Sequence, residues 1–427
     1  MLENIQNVLN VPEFRKRAVF TLIMFIVFRL GVHIPVPGVD SSVIENLFSS
    51  GNLFGLLDLF AGGALSKFSV LAMSITPYIN ASIIMQLLTA VVPTFEQWAK
   101  DNQEGRDKIQ KVTRYGTVVL ALIQAFAMSY ALKVNNALIV DSWAMVVMVS
   151  LVLTAGTCFL MWLGDQITAG GIGNGISLII FAGIVARFPQ GCMTIYKYIQ
   201  AGSINIFQAL LFAVIALFMI VVVIEVTQGQ RRVTVQYAKR IVGRKMYGGH
   251  STHIPLKVNQ AGVIPIIFAS SVLMFPITIA QFVQNETVQW IASFFAWGTV
   301  TNTVMYALLI MFFTYFYTAI SLNIPQLTEN MQKYGGFIPG IRPGEKTQEY
   351  LDAVLSRLTL WGGVYISVIS VLPMLLIAEF NVPFYFGGTS ILILVGVAMD
   401  FMSQIESHLI SRQYEGLMGK TRIKGRS

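Results

Sequence analysis

Long apolar runs alternate with short polar segments along almost the whole chain. Ten of these runs approach or exceed the length of about 20 residues that a helix needs to cross roughly 30 Å of hydrocarbon. They lie at residues 18–34, 69–92, 115–136, 143–163, 174–190, 205–226, 262–283, 303–324, 355–378 and 386–405. The pattern predicts an all-α polytopic membrane protein with ten transmembrane helices.

The basic residues support this prediction because they are divided unequally between the segments that join the runs. With the N-terminus placed in the cytoplasm and the spans alternating, 24 of the 29 Lys and Arg residues fall in cytoplasmic segments. Four fall outside, and Arg29 lies within the first span. Since cytoplasmic loops of membrane proteins are enriched in Lys and Arg, we predict that both termini are cytoplasmic.

The spans divide into two sets of five, which is typical of two halves with inverted topology. The predicted organisation is an N-terminal half at 1–190, an outer hinge loop at 191–204, a C-terminal half at 205–405 with cytoplasmic loops at 227–260 and 325–354, and a basic cytoplasmic tail at 406–427. No clear sequence repeat relates the halves, so the predicted symmetry depends on span counting alone.

One apolar segment, at about residues 53–65, is too short to cross a membrane and is interrupted by Gly55, Gly62 and Gly63. Such a segment predicts a re-entrant or interfacial half-helix, here on the outer side just before the second span. The segment from Gln289 to Trp297 shows a weaker form of the same pattern.

The composition excludes a water-soluble fold and offers little enzyme chemistry. Only 12% of the residues are charged, against about 25% in soluble domains. Cys158 and Cys192 lie in or beside apolar stretches, so neither a disulfide framework nor a Cys-based metal site is predicted. His250 and His253 are spaced for two metal ligands but lack an obvious third, which favours a polar cytoplasmic loop. We expect no metal, no cofactor and no enzymatic activity.

The glycine-rich stretch Gly171-Ile-Gly-Asn-Gly175 invites comparison with a nucleotide-binding loop. It lacks the spacing, the preceding strand and the downstream acid of a dinucleotide fingerprint, and no Gly-Lys-Ser/Thr follows it. We therefore predict a loop that opens the fifth helix.

Ionisable residues are scarce within the runs. Arg29, Glu225, Asp400 and Glu406 lie mostly near predicted span ends, where their side chains can reach water. Ion-coupled transporters normally place ionisable groups or broken helices near mid-membrane. A secondary transporter of a small solute stays open as the alternative function, because a sodium site can be built from carbonyls and hydroxyls. A membrane scaffold that conducts nothing is a further alternative.

Eight distinctive motifs follow one another along the chain. They are Ile34-Pro-Val-Pro-Gly38, Ala61-Gly-Gly-Ala-Leu-Ser66, Thr76-Pro-Tyr-Ile-Asn-Ala-Ser-Ile-Ile84, Gly171-Ile-Gly-Asn-Gly-Ile-Ser177, Gln230-Arg-Arg232 with Tyr237-Ala-Lys-Arg240, Asn259-Gln-Ala-Gly-Val-Ile-Pro265, Phe337-Ile-Pro-Gly-Ile-Arg-Pro-Gly344 and Phe384-Tyr-Phe-Gly-Gly-Thr-Ser390. In this order and over nearly the whole chain they resemble the bacterial SecY family. The resemblance implies an hourglass channel of the inner membrane, between two clamshell halves, that conducts secretory proteins and releases membrane segments into lipid.

Isoleucines spaced four residues apart occur on two of the runs. Ile75 and Ile79 share a face of the second span, and Ile180 and Ile184 repeat the spacing on the fifth. Spacing alone leaves open whether these side chains face lipid or a pore. The resemblance implies an apolar pore ring of Ile75, Ile79, Ile180, Ile184, Ile267 and Ile393. Such a ring disfavours water and so limits ion leak.

The resemblance also implies a plug and a lateral gate. The plug residues are Leu56, Leu57, Leu59, Phe60, Ala61, Gly62 and Gly63, for which an interfacial helix on the outer leaflet is the alternative. The gate lies between spans two and three on one side and seven and eight on the other. Thr76, Gln124 and Ser271 could meet across it, although polar residues often simply join membrane helices.

The cytoplasmic loops carry the prediction of binding partners. Loop 227–260 holds seven basic residues, and the alternation of Val233, Val235 and Tyr237 predicts a short strand in a hairpin-like loop. The positive-inside rule and attraction to anionic lipids explain net basicity, but not this concentration of charge. The resemblance implies docking of the ribosome, partly through RNA phosphates, and of the SecA motor ATPase. The docking residues would be Arg231, Arg232, Lys239, Arg240 and Arg342. It further implies the small membrane subunits SecE and SecG, with signal peptides and nascent chains as clients.

Overall fold

The fold is mostly helical, and its described residues also form a three-stranded and a two-stranded sheet. A computed structural model describes residues 12–40, 62–101, 103–134, 136–202, 205–237, 240–242, 245–247, 251–282, 299–380 and 388–420, with residues 287, 290 and 293–295 between them. The helices are α1 (Pro12–Val32), α2 (Thr76–Val91), α3 (Pro93–Lys100), α4 (Gln103–Val134), α5 (Trp143–Gly170), α6 (Gly175–Gln200), α7 (Ile206–Gln228), α8 (Ile264–Phe282), α9 (Val300–Ser321), α10 (Ile324–Lys333), α11 (Glu345–Phe380) and α12 (Gly388–Lys420). The strands are β1 (Gln230–Tyr237), β2 (Arg240–Val242), β3 (Lys245–Tyr247), β4 (Ser251–Lys257) and β5 (Gly336–Phe337).

Several of these helices have the length and apolarity of membrane spans. Within the described residues seven helices qualify, or eight if α2 and α3, which meet at an angle of 99°, count as one broken span. The qualifying helices are α4 to α7, α9, α11 and α12. The chain is therefore a multi-pass membrane protein, as its apolar runs predict. Helices α1 and α8 cover the first and seventh predicted runs, and the total of ten spans stays a prediction.

The second span begins later than its apolar run. The run starts at residue 69, but helix α2 begins at Thr76. Pro77 suits a first helical turn because its missing N–H would have no partner there. Before it, Phe68 and Ser74 have φ angles of 41° and 53°, left-handed values that a helix cannot contain. The buried residues just before Thr76 therefore belong to turns.

Helix α6 extends beyond the end predicted from its apolar run. The sequence places a loop at residues 191–204, whereas the helix continues through Pro189 to Gln200. Proline removes one backbone hydrogen bond and favours a kink, but neighbouring turns can hold the helix together. The predicted boundary was wrong because apolarity marks what faces lipid, whereas helical structure requires only satisfied backbone hydrogen bonds.

The chain folds as two compact units, one formed by Met1–Tyr196 with Val397–Ser427 and the other by Lys197–Gly396. In the first unit, α5 packs against α4 and α1, and α2 packs along α4. In the second unit, α9 packs between α8 and α11. These helix pairs form the apolar interior of each unit.

A small sheet and two helices form a separate apolar core in the second unit. The strand order is β4-β1-β5, and both pairings are antiparallel. Val233 and Val235 on β1 are buried while Arg232 and Gln236 are exposed, which confirms the strand predicted from their alternation. The core contains Val233, Val235, Leu256, Ile324, Met331, Ile338, Leu351, Val354 and Leu355. We call β1, β4, β5, α10 and residues 345–355 of α11 the loop platform.

Close helix packing at Gly156 supplies a test of the first unit. A Cβ atom there would lie 1.9 Å from the carbonyl oxygen of Val70, whereas one at Gly116 on α4 would meet only Ala81 at 3.8 Å. Backbone atoms cannot rotate away, so we expect Gly156→Ala to lower the free energy of unfolding by about 3 kcal/mol. Gly116→Ala should be neutral or gain up to about 1 kcal/mol from helix propensity. Thermal denaturation of both purified variants in detergent measures this, and equal midpoints would contradict the packing at Gly156.

Candidate functional site

One face of α6 carries two of the predicted pore residues. Ile180 and Ile184 are spaced one turn apart and are 5% and 0% exposed. Gly183 and Arg187 continue the same face at helical spacing. We call Ile180, Gly183, Ile184 and Arg187 the α6 stripe. The sequence prediction missed the two added members, although their spacing from Ile180 was a readable signal.

The last part of the predicted plug segment lies on the α6 stripe. A Cβ atom built on Gly62 would be 2.8 Å from the Cα atom of Gly183, so the two backbones touch at this point. Gly62 and Gly63 have φ angles of 64° and 90°, a conformation that favours glycine. The other predicted plug residues, Leu56, Leu57, Leu59, Phe60 and Ala61, lie outside the described residues. The structure thus brings the end of the predicted plug onto the helix that bears Ile180 and Ile184.

The other predicted ring residues occupy three helices. Ile75 is 1% exposed and caps α2, and its carbonyl accepts the first helical hydrogen bond from the N–H of Ile79 at 3.1 Å. Ile79 is half-buried on α2. In the second unit, Ile267 is half-buried on α8 and Ile393 is buried on α12. Closure of all six isoleucines into one ring stays a prediction.

The predicted gate residues lie on helices that belong to both units. Thr76 is the first residue of α2 and Gln124 lies within α4, and both are half-buried on two helices that pack along each other. Ser271 is half-buried on α8 in the second unit. A polar contact between these three side chains stays a prediction.

An ion pair joins α4 to α5 at the ends that the topology predicts to be cytoplasmic. Nη2 of Arg114 lies 2.9 Å from Oδ2 of Asp165, whose side chain is 24% exposed. The sequence prediction missed this pair. The sequence contained a signal for it. Two antiparallel spans joined by a short outer loop bring the residues just before the first span and just after the second span to the same side of the membrane.

The glycine-rich stretch forms the predicted loop at the start of α6. Oδ1 of Asn174 accepts hydrogen bonds from the N–H groups of Ile176 and Ser177, which otherwise lack partners at a helix start. A Cβ atom at Gly175 would lie 2.0 Å from the carbonyl oxygen of Gly164 on α5. The prediction that this loop opens the helix of the fifth span, which is α6, is confirmed. Gly175 at the start of that helix allows α6 to pack closely against α5.

Two of the predicted docking residues lie on strand β1 of the loop platform. Arg231 and Arg232 are exposed on β1, paired in register with Leu256 and Pro255 of β4. Arg240 begins β2, a strand paired only with β3 among the described residues. Lys239 lies outside the described residues. The structure therefore places Arg231 and Arg232 on a rigid sheet.

Arg342 stands at the end of a fixed loop on the same platform. Its side chain is exposed, while Ile338 at the start of the loop is buried in the platform core. The hydroxyl of Thr347 donates to the carbonyl of Arg342 at 3.0 Å, and the N–H of Ile341 donates to the carbonyl of Ile338 at 3.1 Å. Gly340 and Gly344 adopt the positive φ angles that the turn requires. A buried hydroxyl and an apolar anchor thus present one guanidinium group to solvent.

Comparison with known proteins gives consistent matches over nearly the whole chain. A family model described as SecY matches residues 69–402. The protein translocase subunit SecY of Halalkalibacterium halodurans is 49% identical over 98% of this chain and 100% of that protein. The protein translocase subunit SecY of Escherichia coli K12 is 44% identical over 97% of this chain and 96% of that protein.

Solved channel structures share the fold at low sequence identity. One is a SecY protein whose plug domain stabilises the closed state of the translocation channel and maintains a membrane seal. It aligns over 97% of this chain and 95% of its own, with a TM-score of 0.67 and 16% identity. Sec61 in the canine ribosome-channel complex aligns over the same shares, with a TM-score of 0.64 and 16% identity.

Proposed function

Because the chain belongs to the SecY family, we propose that it is the central channel-forming subunit of a Sec translocon. It passes unfolded secretory proteins across the membrane and releases transmembrane segments laterally into lipid. The observation that carries the proposal is the match, at 44% to 49% identity over almost entire chains, to relatives named as protein translocase subunits. The protein conducts and does not catalyse, and we expect the energy to come from its partners.

The proposed architecture is a clamshell of ten helices in two inverted halves around an hourglass pore. The six isoleucines form the constriction, and the plug at about residues 53–65 fills the outer funnel. Contact between Gly62 and the α6 stripe supports this arrangement, because it holds the end of the plug segment beside Ile180 and Ile184. The plug domain of the SecY structure with the same fold has the corresponding role in that protein.

The proposed lateral gate lies between α2 with α4 on one side and α8 with α9 on the other. A signal sequence has an apolar core of about 7–15 residues, which requires a groove open to lipid. Its entry separates the two sides, and its release into lipid depends on its hydrophobicity. Thr76, Gln124 and Ser271 are proposed to hold the closed gate together by polar contact.

The proposed partners dock on the loop platform and around the membrane helices. Arg231, Arg232, Lys239, Arg240 and Arg342 bind the SecA motor ATPase and the ribosome, the latter through RNA phosphates. The Sec61 channel with the same fold was solved with a ribosome, which supports this docking. SecE braces the two halves, SecG is the second small membrane subunit, and anionic lipids contact the basic cytoplasmic segments. The protein lies in the bacterial inner membrane with both termini in the cytoplasm.

The proposal is tested by reconstitution. The chain is assembled with SecE and SecG in lipid vesicles, and SecA, ATP and a secretory precursor are added. We expect ATP-dependent protection of the precursor from external protease. A correctly assembled complex that protects no precursor, with or without the signal sequence, would contradict the translocase proposal. Uptake of small solutes by the same vesicles would then favour the secondary-transporter alternative.

A further inference from the structure

Two arginines on different helices hold the segment 62–66. Nη1 of Arg29, on α1, donates to the carbonyl of Gly62 at 3.0 Å. Nη2 of Arg187, on α6, donates to the hydroxyl of Ser66 at 3.4 Å, and that hydroxyl donates to the carbonyl of Gly63 at 3.2 Å. The segment is therefore bound from two sides, at both of its ends.

The chain beyond this segment is fixed by burial and by backbone pairing. Ala64, Leu65 and Phe68 are at most 4% exposed. The N–H of Val36 donates to the carbonyl of Phe68 at 3.0 Å, which ties the turn to the end of α1. Residues from Ala64 onwards are thus held in place. Gly62 and Gly63, with their left-handed φ angles, are the last two of the predicted plug residues and directly precede this buried turn.

Arginines within apolar helices need a specific reason to be there. A charged side chain in a membrane span is costly unless it finds partners inside the protein. A guanidinium group provides several donors in a rigid fork, and hydrogen bonds from charged donors are stronger than those between neutral groups. The carbonyl and hydroxyl of segment 62–66 offset this cost at both sites.

We propose that Arg29 and Arg187 are positioning residues that clamp segment 62–66 onto the α6 stripe and so keep the channel sealed at rest. The inference rests on the proposed function. Loss of either clamp contact frees the carbonyl of Gly62 or the hydroxyl of Ser66. Segment 62–66 then separates more often from the α6 stripe, and Ile180 and Ile184 on that stripe are left less well covered.

The first experiment measures resting ion conductance of the reconstituted complex without precursor. We expect Arg29→Gln and Arg187→Gln each to raise it by about tenfold, the factor that one lost charged hydrogen bond would give. Because both arginines hold one segment, the double variant should leak little more than either single variant. Arg29→Lys keeps a cationic donor and should restore much of the seal. Arg17→Gln is the matched control, since Arg17 is exposed on the same helix. Equal conductance in all variants overturns the proposal.

A second measurement guards against variants that fail to assemble. Ser66→Ala removes the hydroxyl without changing charge, and we expect it to leak like Arg187→Gln. A Leu65→Cys reporter is placed in a background in which Cys158→Ser and Cys192→Ser remove the native thiols. We expect a thiol reagent to alkylate it several times faster in the Arg29→Gln variant than in the protein that keeps Arg29. Unchanged alkylation together with an unchanged Ser66→Ala conductance would contradict the clamp. Failure of the wild type to import precursor would instead contradict the proposed function, while the alkylation rates would still decide the clamp.

Discussion

Reversing the charge at Arg342 will lower SecA-driven precursor import by roughly thirtyfold, as expected for the loss of about 2 kcal/mol at a charged docking contact. Arg342 is exposed, and its backbone is held by Thr347 and by the buried Ile338, so the Arg342→Glu protein should fold and bind SecE normally. Import is measured as protease-protected precursor at several SecA concentrations. The loss should be largest at low SecA.

Lys346→Glu is the matched control for that experiment. It changes the net charge by the same amount, four residues away on the same platform. Lys346 already pairs with Glu349, its Nζ lying 2.7 Å from Oε2, and its side chain is 65% exposed. We expect import within about twofold of the wild type, because an exposed pair contributes little. Equal loss in both variants would mean that general electrostatic attraction, and not docking by Arg342, drives motor binding.

Ile184→Ser will raise resting ion conductance by an order of magnitude or more, because a hydroxyl in the proposed constriction lowers the barrier to wetting. Ile184 is fully buried on the α6 stripe, one turn from Ile180 and next to the Gly183 that touches Gly62. Conductance is measured across planar bilayers with the complex at rest. Precursor import should persist, since the passing chain needs no single isoleucine.

Ile179→Ser separates a pore effect from loss of packing. Ile179 is equally well buried, but its Cδ1 atom lies 3.6 Å from the Cβ position of Gly164, so it faces α5. Both substitutions bury a hydroxyl and remove similar apolar surface, so both should lower stability by about 2 to 4 kcal/mol. Only Ile184→Ser should leak. Comparable leak in both variants would assign the effect to a loosened helix bundle.

The sequence predicted the positions of the helices better than their ends. Apolar runs identify the segments that must avoid water, and a helix covers at least part of each of the ten runs. The ends depend on features that hydropathy does not contain. Helix α2 starts at Thr76 because Ser74 is left-handed, and α6 continues to Gln200 because nothing breaks its hydrogen bonds after Pro189.

The candidate site was predictable where neighbours in sequence are neighbours in space. The four-residue spacing of Ile180 and Ile184 and the alternation along β1 both follow from local geometry. Contacts between distant residues were not predictable in this way. Arg29 and Gly62 are 33 positions apart, and Arg114 and Asp165 are 51 positions apart. Each pair is brought together by packing that a single sequence does not encode locally.

Helix α11 gives the loop platform a mechanical connection to the membrane interior. It continues as one helix for 36 residues from Glu345 to Phe380, a length of about 54 Å, with Pro373 inside it. Leu351 and Leu355 lie in the platform core, and the later turns lie among the membrane helices. A force that a docked partner applies at Arg342 would therefore reach the membrane portion through a single helix, without an intervening loop. Under such a load the helix should yield first near Pro373, where a proline interrupts its hydrogen bonds.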